Sequence, residues 1–366
     1  MKALIVSVDL GGPDFKAHAE EFAMLARGAG AEIVGTLVAR RARPDAAHFI
    51  GSGKVEEGIL LADEAGAEIV LFDQPLSPAQ QRNLERKFNR RVVDRVALIL
   101  DIFALRAKSH EGKLQVELAQ LQHLSTRLTR MWTHLERQRG GIGMRGPGEA
   151  QLEMDRRMIG GKVRVLRERL ERVQRQRTTQ RRSRSRNGML SVSLVGYTNA
   201  GKSTLFNALT RAGAYAADQL FATLDTTTRR VWIEEAGQQV VISDTVGFIR
   251  DLPPTLIAAF RATLEETVQA DLLLHVVDAS SHQRDEQISE VDKVLADIGA
   301  DEIPRILVYN KIDEAGYEPR VERGEHGNIA RVFVSALRRV GLDGLREAIA
   351  ESSQVAGNNA FNIENI

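Results

Sequence analysis

Nine consecutive residues, Gly196-Tyr197-Thr198-Asn199-Ala200-Gly201-Lys202-Ser203-Thr204, set two glycines five positions apart and follow the second with a lysine and a hydroxyl. An apolar stretch, 189–195, precedes them, and a helical pattern, 204–209, follows. Strand, glycine-bearing loop and helix in that order aim successive backbone N–H groups at one point on a helix N-terminus, an anion cradle. Lys202 puts a point charge on the β- and γ-phosphates of a nucleotide, and the Ser203 hydroxyl is a hard oxygen of the kind Mg2+ takes. The chemistry this predicts is phosphoryl transfer, in which Lys202 stabilises charge developing on the phosphates.

Forty residues on, an apolar run at 240–243 ends in Asp244-Thr245-Val246-Gly247. A carboxylate at the carboxyl end of a strand beside the loop is placed to hold Mg2+ through water, and the Gly247 N–H to sense the γ-phosphate. Between the two motifs lie Phe221-Ala222-Thr223-Leu224-Asp225 and then Thr226, Thr227 and Thr228, which offer several hydroxyls for closing over the metal in the triphosphate state. After an apolar run at 306–308, Asn310-Lys311-Ile312-Asp313 supplies a carboxylate that accepts both the ring N1–H and the exocyclic amine of guanine. Adenine lacks that donor pair, and a buried acceptor left unpaired costs ~1–3 kcal/mol, so guanine is expected to win. After a strand expected at 331–334, Ser335-Ala336-Leu337 can present a backbone N–H to guanine O6. The five motifs specify a GTP-binding domain over 189–351. The position after Gly247, where Ras-like enzymes use a glutamine to orient the attacking water, is Phe248. A phenyl ring makes no such hydrogen bond, so intrinsic hydrolysis should be slow and the missing group should come from a partner.

Strands expected at 1–8, 32–38, 68–72 and 92–93 alternate with helical patterns at 15–27, 54–64 and 78–88, so residues 1–110 read as a parallel α/β domain. Gly51-Ser52-Gly53-Lys54 imitates the end of a phosphate loop, but Val55 stands where a hydroxyl belongs and His48 where the leading glycine belongs. From about Gly112 the period changes. Leu114, Leu118, Leu121, Leu124, Leu128, Met131 and Leu135, then Leu152, Ile159, Val163, Leu166, Leu170 and Val173, form seams on two long helices. Residues 111–182 are therefore expected to form a long antiparallel helical hairpin, with a linker at 183–188 and a polar tail at 352–366.

The whole chain carries a net charge of +1, yet residues 130–186 hold 17 Lys and Arg against 6 Asp and Glu, leaving the other residues at −10. A basic arm on an acidic body is the electrostatic footprint of nucleic-acid binding. Between the two helices, Arg139, Gly140, Gly141, Gly143, Met144, Arg145 and Gly146 combine close backbone approach, two cations and a soft apolar wedge, and are the expected RNA-binding tip. With no cysteine, disulfides, thiolate nucleophiles and sulfur-ligated zinc are excluded. No apolar run approaches the ~20 residues a membrane span needs, and Asp9 falls too early for a secretory leader, so a cytoplasmic protein, monomeric, is expected.

The sequence Thr198-Asn199-Ala200-Gly201-Lys202-Ser203-Thr204, the Phe221–Asp225 motif, Asp244–Ile249, Asn310–Asp313 and the glycine-rich Gly140–Glu149 together resemble the HflX family, ribosome-associated GTPases of the Obg-HflX group. The resemblance covers about residues 1–350. It implies binding to the large (50S) ribosomal subunit and the 70S ribosome through ribosomal RNA, splitting or rescue of ribosomes stalled under stress, and stimulation of GTP hydrolysis by the ribosome. It further implies that Ser203 and Thr223 hold Mg2+, that Thr223 and Gly247 act beside Lys202 in catalysis, and that the arm tip reaches towards the peptidyl-transferase centre. Asn199 stands where related cation-dependent GTPases hold K+. Two departures stand out: Thr226 occupies a position where the family usually has proline, and the chain stops where many members continue into a further subdomain. A GTP-switched module for another structured RNA or protein is the competing reading; an ATP-driven RNA-remodelling activity of the first domain is a third.

Overall fold

The structure, a computed structural model, describes residues 1–12, 14–127, 147–185, 189–210, 220–252, 256–257, 264–325 and 327–363. Its residues fall into two compact units, 1–105 with 113–171, and 106–112 with 172–366.

The first unit is built on a four-stranded sheet of order β2-β1-β3-β4, from β1 (Lys2–Asp9), β2 (Glu32–Arg40), β3 (Ile69–Phe72) and β4 (Arg91–Asp94), all parallel. Helices α1 (Phe15–Gly28), α2 (Ser52–Glu64) and α3 (Pro78–Phe88) connect them, as the alternation in the sequence predicts. The start of α3 is fully capped: the Ser77 hydroxyl accepts the Gln80 N–H, the Gln80 side chain accepts the Ser77 N–H, and Pro78 opens the helix. Leu4, Val6, Phe22, Leu37, Phe72, Leu84 and Phe88 are buried within this unit. Lys54 of the imitation phosphate loop pairs with Glu57 at 2.8 Å.

The sequence reading missed α4 (Arg95–Arg106), which follows β4 without a break. Its cap is the last residue of the strand, Asp94, whose carboxylate accepts the Ala97 N–H at 3.0 Å and also binds the Leu76 N–H and Arg127. One aspartate thus ends a strand and starts a helix, with no glycine or proline to mark the boundary. On α5 (His110–Arg127) and α6 (Pro147–Ser185), Leu114, Leu118 and Leu121 of the expected seams cluster with Val163, Leu166 and Leu170, while Leu124 is exposed and Leu128, Met131 and Leu135 lie outside the described residues. The arm-tip residues 139–146 and residues 186–188 of the linker expected at 183–188 lie outside the described residues; 183–185 continue α6.

The second unit holds a seven-stranded sheet of order β10-β11-β9-β8-β5-β7-β6. Its strands are β5 (Ser191–Gly196), β6 (Thr227–Ile233), β7 (Gln238–Asp244), β8 (Leu272–Asp278), β9 (Arg305–Asn310), β10 (Arg320–Arg323) and β11 (Ile329–Phe333). Only β6 and β10, at the edges, run antiparallel to their neighbours. Its helices include α7 (Lys202–Thr210), α8 (Arg284–Ile298), α9 (Ile312–Ala315) and α10 (Leu342–Ile363). β5 lies between β7 on one side and β8 on the other, so the chain reverses its winding direction there. The crevice beyond the carboxyl ends of these strands is where open α/β sheets bind ligands. The mixed α/β class with a phosphate-loop domain is as expected. The polar tail is not: α10 runs to Ile363, well past Glu351. Ser352 and Ser353 donate their hydroxyls to the carbonyls of Ala348 and Ala350 inside the helix, and no proline interrupts it.

His275, in the middle of β8, is buried, and its Nδ1 has no hydrogen-bond partner. Burial, helped by the positive charges of Arg305 and Lys202, pushes its pKa down to about 3. The folded chain therefore refuses a proton that the unfolded chain accepts near pH 6.5, and stability present above that pH is lost as pH falls towards 3. Between pH 7 and pH 5 the loss from this residue is about 2 kcal/mol. Urea unfolding at the two pH values is expected to show a drop smaller by that amount in His275→Leu, since every other titrating group is common to both proteins. Equal drops would refute this assignment.

Candidate functional site

The phosphate loop is held open by contacts between motifs. Gly201 sits at φ +90°, and a Cβ there would lie 2.2 Å from Asn310 Nδ2, so only glycine serves. Asn310 uses the room: its Nδ2 donates to the Ala200 carbonyl at 2.9 Å, and its Oδ1 accepts the Ala336 N–H at 3.0 Å. Asn310 is therefore a splint joining the phosphate loop, the Asn310–Asp313 motif and the Ser335–Leu337 turn. On the other side the Thr198 N–H donates to the Phe248 carbonyl at 2.7 Å, and the Phe248 N–H to the Gly196 carbonyl at 3.1 Å. The Phe248 side chain is itself buried. It packs away from solvent and leaves no hydrogen-bonding group at the position that follows Gly247.

Lys202 opens α7, buried, and donates to the carbonyls of Gly196 and Tyr197 at 3.0 and 2.7 Å. Burial pushes its pKa down to about 8, against the pull of Asp244. Next to it the Ser203 hydroxyl donates to Asp244 Oδ2 at 2.7 Å and lies 2.7 Å from Thr223 Oγ1. Three segments far apart in sequence thus bring hard oxygens to one point. Burial raises the Asp244 pKa, with the Ser203 hydrogen bond and Lys202 acting the other way. Its second oxygen, Oδ1, is buried without a hydrogen-bond partner. Two hydroxyls and one carboxylate with a lone pair to spare fit Mg2+, a hard cation that takes few protein ligands and completes its shell with water and phosphate oxygens. Among the described residues no group of three or more His, Asp or Glu stands ready to hold a metal by itself.

Of the residues assigned from the sequence, Thr198, Asn199, Gly201, Lys202, Ser203, Thr204, Phe221, Ala222, Thr223, Thr245, Gly247, Asn310, Lys311, Asp313, Ser335 and Leu337 line one cavity of about 650 Å3. Gly196, Tyr197, Ala200, Leu224, Asp225, Asp244, Val246, Ile312 and Ala336 are not among its lining residues. The Ala336 amide is committed to Asn310. Asp278, Ser280 and Glu314 line the cavity too and were not singled out in the sequence. Asp278 ends β8, binds Lys311 Nζ at 2.6 Å and accepts the Ser280 hydroxyl at 2.6 Å. An apolar run ending in an acid is the same pattern that marks Asp244, and would have found it.

Three family models match in succession: the N-terminal region of the GTP-binding GTPases over residues 16–104, their middle region over 106–184, and the 50S ribosome-binding GTPases over 191–311. The chain is 54% identical to the GTPase HflX of Escherichia coli K12, a similarity covering 92% of this chain and 80% of that protein. With the GTPase HflX of Caldanaerobacter subterraneus it shares 47% identity over 95% of this chain and 79% of that one. A crystal structure of SsGBP in complex with GDP superposes with a TM-score of 0.52 at 25% identity, covering 97% of this chain and 100% of the other. No helix among the described residues is long and apolar enough to cross a membrane. The ordered motifs, their convergence on one cavity, and these likenesses place the chain in the HflX family: it is a GTP-binding and GTP-hydrolysing protein of that family.

Proposed function

We propose that this GTPase docks on the large ribosomal subunit in its GTP form, splits or rescues stalled 70S ribosomes under stress, and is released by hydrolysis. The observation that carries the reading is the match to the 50S ribosome-binding GTPases over 191–311, standing beside the net +11 of residues 130–186. A cationic segment of that size gives strong, salt-sensitive attraction to RNA phosphates. Its tip, Arg139 to Gly146, is the part assigned to base and backbone contact.

In the nucleotide site, Ser203 and Thr223 would hold Mg2+ directly and Asp244 through water; the ion supplies charge neutralisation on the β- and γ-phosphate oxygens. Lys202 would put its positive charge on the β- and γ-phosphates, and Gly247 lines the cavity, where its N–H would meet the γ-phosphate. Asp313 reads guanine. Contact between Thr223 and Ser203 ties the 221–225 segment to the phosphate loop, so loss of the γ-phosphate releases it and weakens docking.

With Phe248 buried, no side chain there orients the attacking water, and the ribosome is the activator that supplies this function. GTP turnover is expected to rise roughly 10²-fold or more on adding purified large subunits, within the range partner-supplied groups give other GTPases. Unchanged turnover would overturn the activator role. Asn199, in the left-handed region at φ 62° and lining the cavity, supports K+ as an auxiliary cation. The same assay tests it: equal rates in K+ and Na+, retained by Asn199→Ala, would remove K+ from the scheme.

A further inference from the structure

Asp225 closes the Phe221–Asp225 motif but does not line the nucleotide cavity. Its carboxylate is spent 116 residues away. Oδ2 accepts the backbone N–H groups of Lys108 and Ser109, each at 2.8 Å, and Oδ1 accepts the Ser109 hydroxyl at 2.5 Å. Ser109 is the residue before α5, and its hydroxyl in turn accepts the Gly112 N–H at 2.8 Å, the third amide of the helix. The first turn of α5 is thus capped by Ser109, and Ser109 is gripped by Asp225. A carboxylate at a helix N-terminus also gains from the helix dipole.

Gly112 shows that the grip is built in. A Cβ at this position would lie 2.1 Å from Asp225 Oδ1, so any other residue pushes the carboxylate out. Lys108, Ser109, Gly112 and Asp225 all belong to the second unit, and α5 continues beyond Gly112 to Arg127. At the other end of the motif, Thr223 contacts Ser203 and thereby the Asp244 carboxylate. Two anchors only two residues apart are separated by about 7 Å of chain at most, too short to absorb a displacement of either one. Leu224 between them is buried.

We propose that Asp225 is a positioning residue that fixes Thr223 for Mg2+–GTP by clamping the 106–112 segment, so that the state of the nucleotide is written into the first turn of the arm helix α5. The inference deepens the proposed function and rests on its reading of 221–225 as the nucleotide switch. In the GTP state Thr223 is held and the clamp is closed; in the GDP state the release of 221–225 opens it and frays the start of α5.

Amide hydrogen exchange on the full chain, with GDP or with a non-hydrolysable GTP analogue and Mg2+, tests it. In the wild type, peptides covering 221–225 and 106–112 should both exchange more slowly with the GTP analogue. Asp225→Ala should speed exchange at 106–112 by roughly tenfold or more, the weight of one hydrogen bond to a charged acceptor, and erase its dependence on nucleotide. Its GDP affinity should stay within about twofold, while the preference for the Mg2+–GTP analogue falls. Asp225→Asn keeps an oxygen for the two amides and should restore much of the protection, and Gly112→Ala should reproduce the uncoupling without touching the nucleotide site. Nucleotide dependence at 106–112 that survives Asp225→Ala and Gly112→Ala would overturn the clamp. If 221–225 itself shows no nucleotide dependence in the wild type, the switch reading fails and the clamp with it.

Discussion

Asp313→Asn is expected to lower guanine-nucleotide affinity by about 10²–10³-fold and to turn the preference towards xanthine nucleotides. Asp313, the second residue of α9, lines the cavity, and its carboxylate lies 3.8 Å from Arg338 Nε. Guanine gives it two donors, each worth ~1.5–3 kcal/mol against a charged acceptor. The amide of asparagine keeps one acceptor and substitutes a donor, which repels the guanine amine and pairs with the C2 carbonyl of xanthine. Titration calorimetry with GDP and xanthosine diphosphate reads both effects, and unchanged GDP affinity in the variant would contradict the assignment. Asn310, by contrast, acts through its two splinting hydrogen bonds. Its removal should loosen the phosphate loop for any base, without changing which base is preferred.

Lys202→Met should move binding and stability in opposite directions. The lysine is buried, and burial pushes its pKa from 10.5 down to about 8. The sign follows directly: a lysine whose folded pKa is depressed costs stability at neutral pH, up to about 3 kcal/mol, and Met of similar length relieves most of that cost. Part of the gain is offset because Asp244 loses a nearby positive charge. The phosphates lose their point charge, and truncating one partner of a buried charge pair costs ~2–5 kcal/mol, so GTP affinity should fall by at least about 30-fold. The free variant should melt at a higher temperature than the wild type and bind GTP hardly at all. A lower melting temperature together with intact binding would refute the reading of Lys202 as a charge maintained for the nucleotide at the expense of the fold.

The nucleotide site was legible because its chemistry is local. Gly196 to Thr204 carries strand, loop and helix within a dozen residues, and Asp244 and Asp313 each follow an apolar run that announces the end of a strand. Asp278 follows the same rule and was overlooked because no motif surrounds it. What sequence could not show is pairing across the chain. Asp225 reads as one more polar residue of the switch, and its partners at 108 and 109 have no signature of their own beyond a serine before a helix. Asn310 reads as part of a base-recognition motif, whereas its amide is consumed by Ala200 and Ala336. α4 escaped for a different reason. Its apolar run, 96–103, is almost continuous, so the helical period is hidden, and its cap is the final residue of a strand. The fold class followed from alternation alone, since β1 to β4 and their helices keep the spacing a parallel sheet imposes.

Coupling between the terminal phosphate of GTP and the grip of the basic arm on the ribosome is the centre of the account, and light scattering of 70S ribosomes tests it most directly. With the protein and a non-hydrolysable GTP analogue, scattering should fall as subunits separate; with GDP it should hold steady, and a chain lacking residues 140–148 should leave it unchanged in either case. A fall of equal speed with GDP, or with the shortened chain, would contradict it.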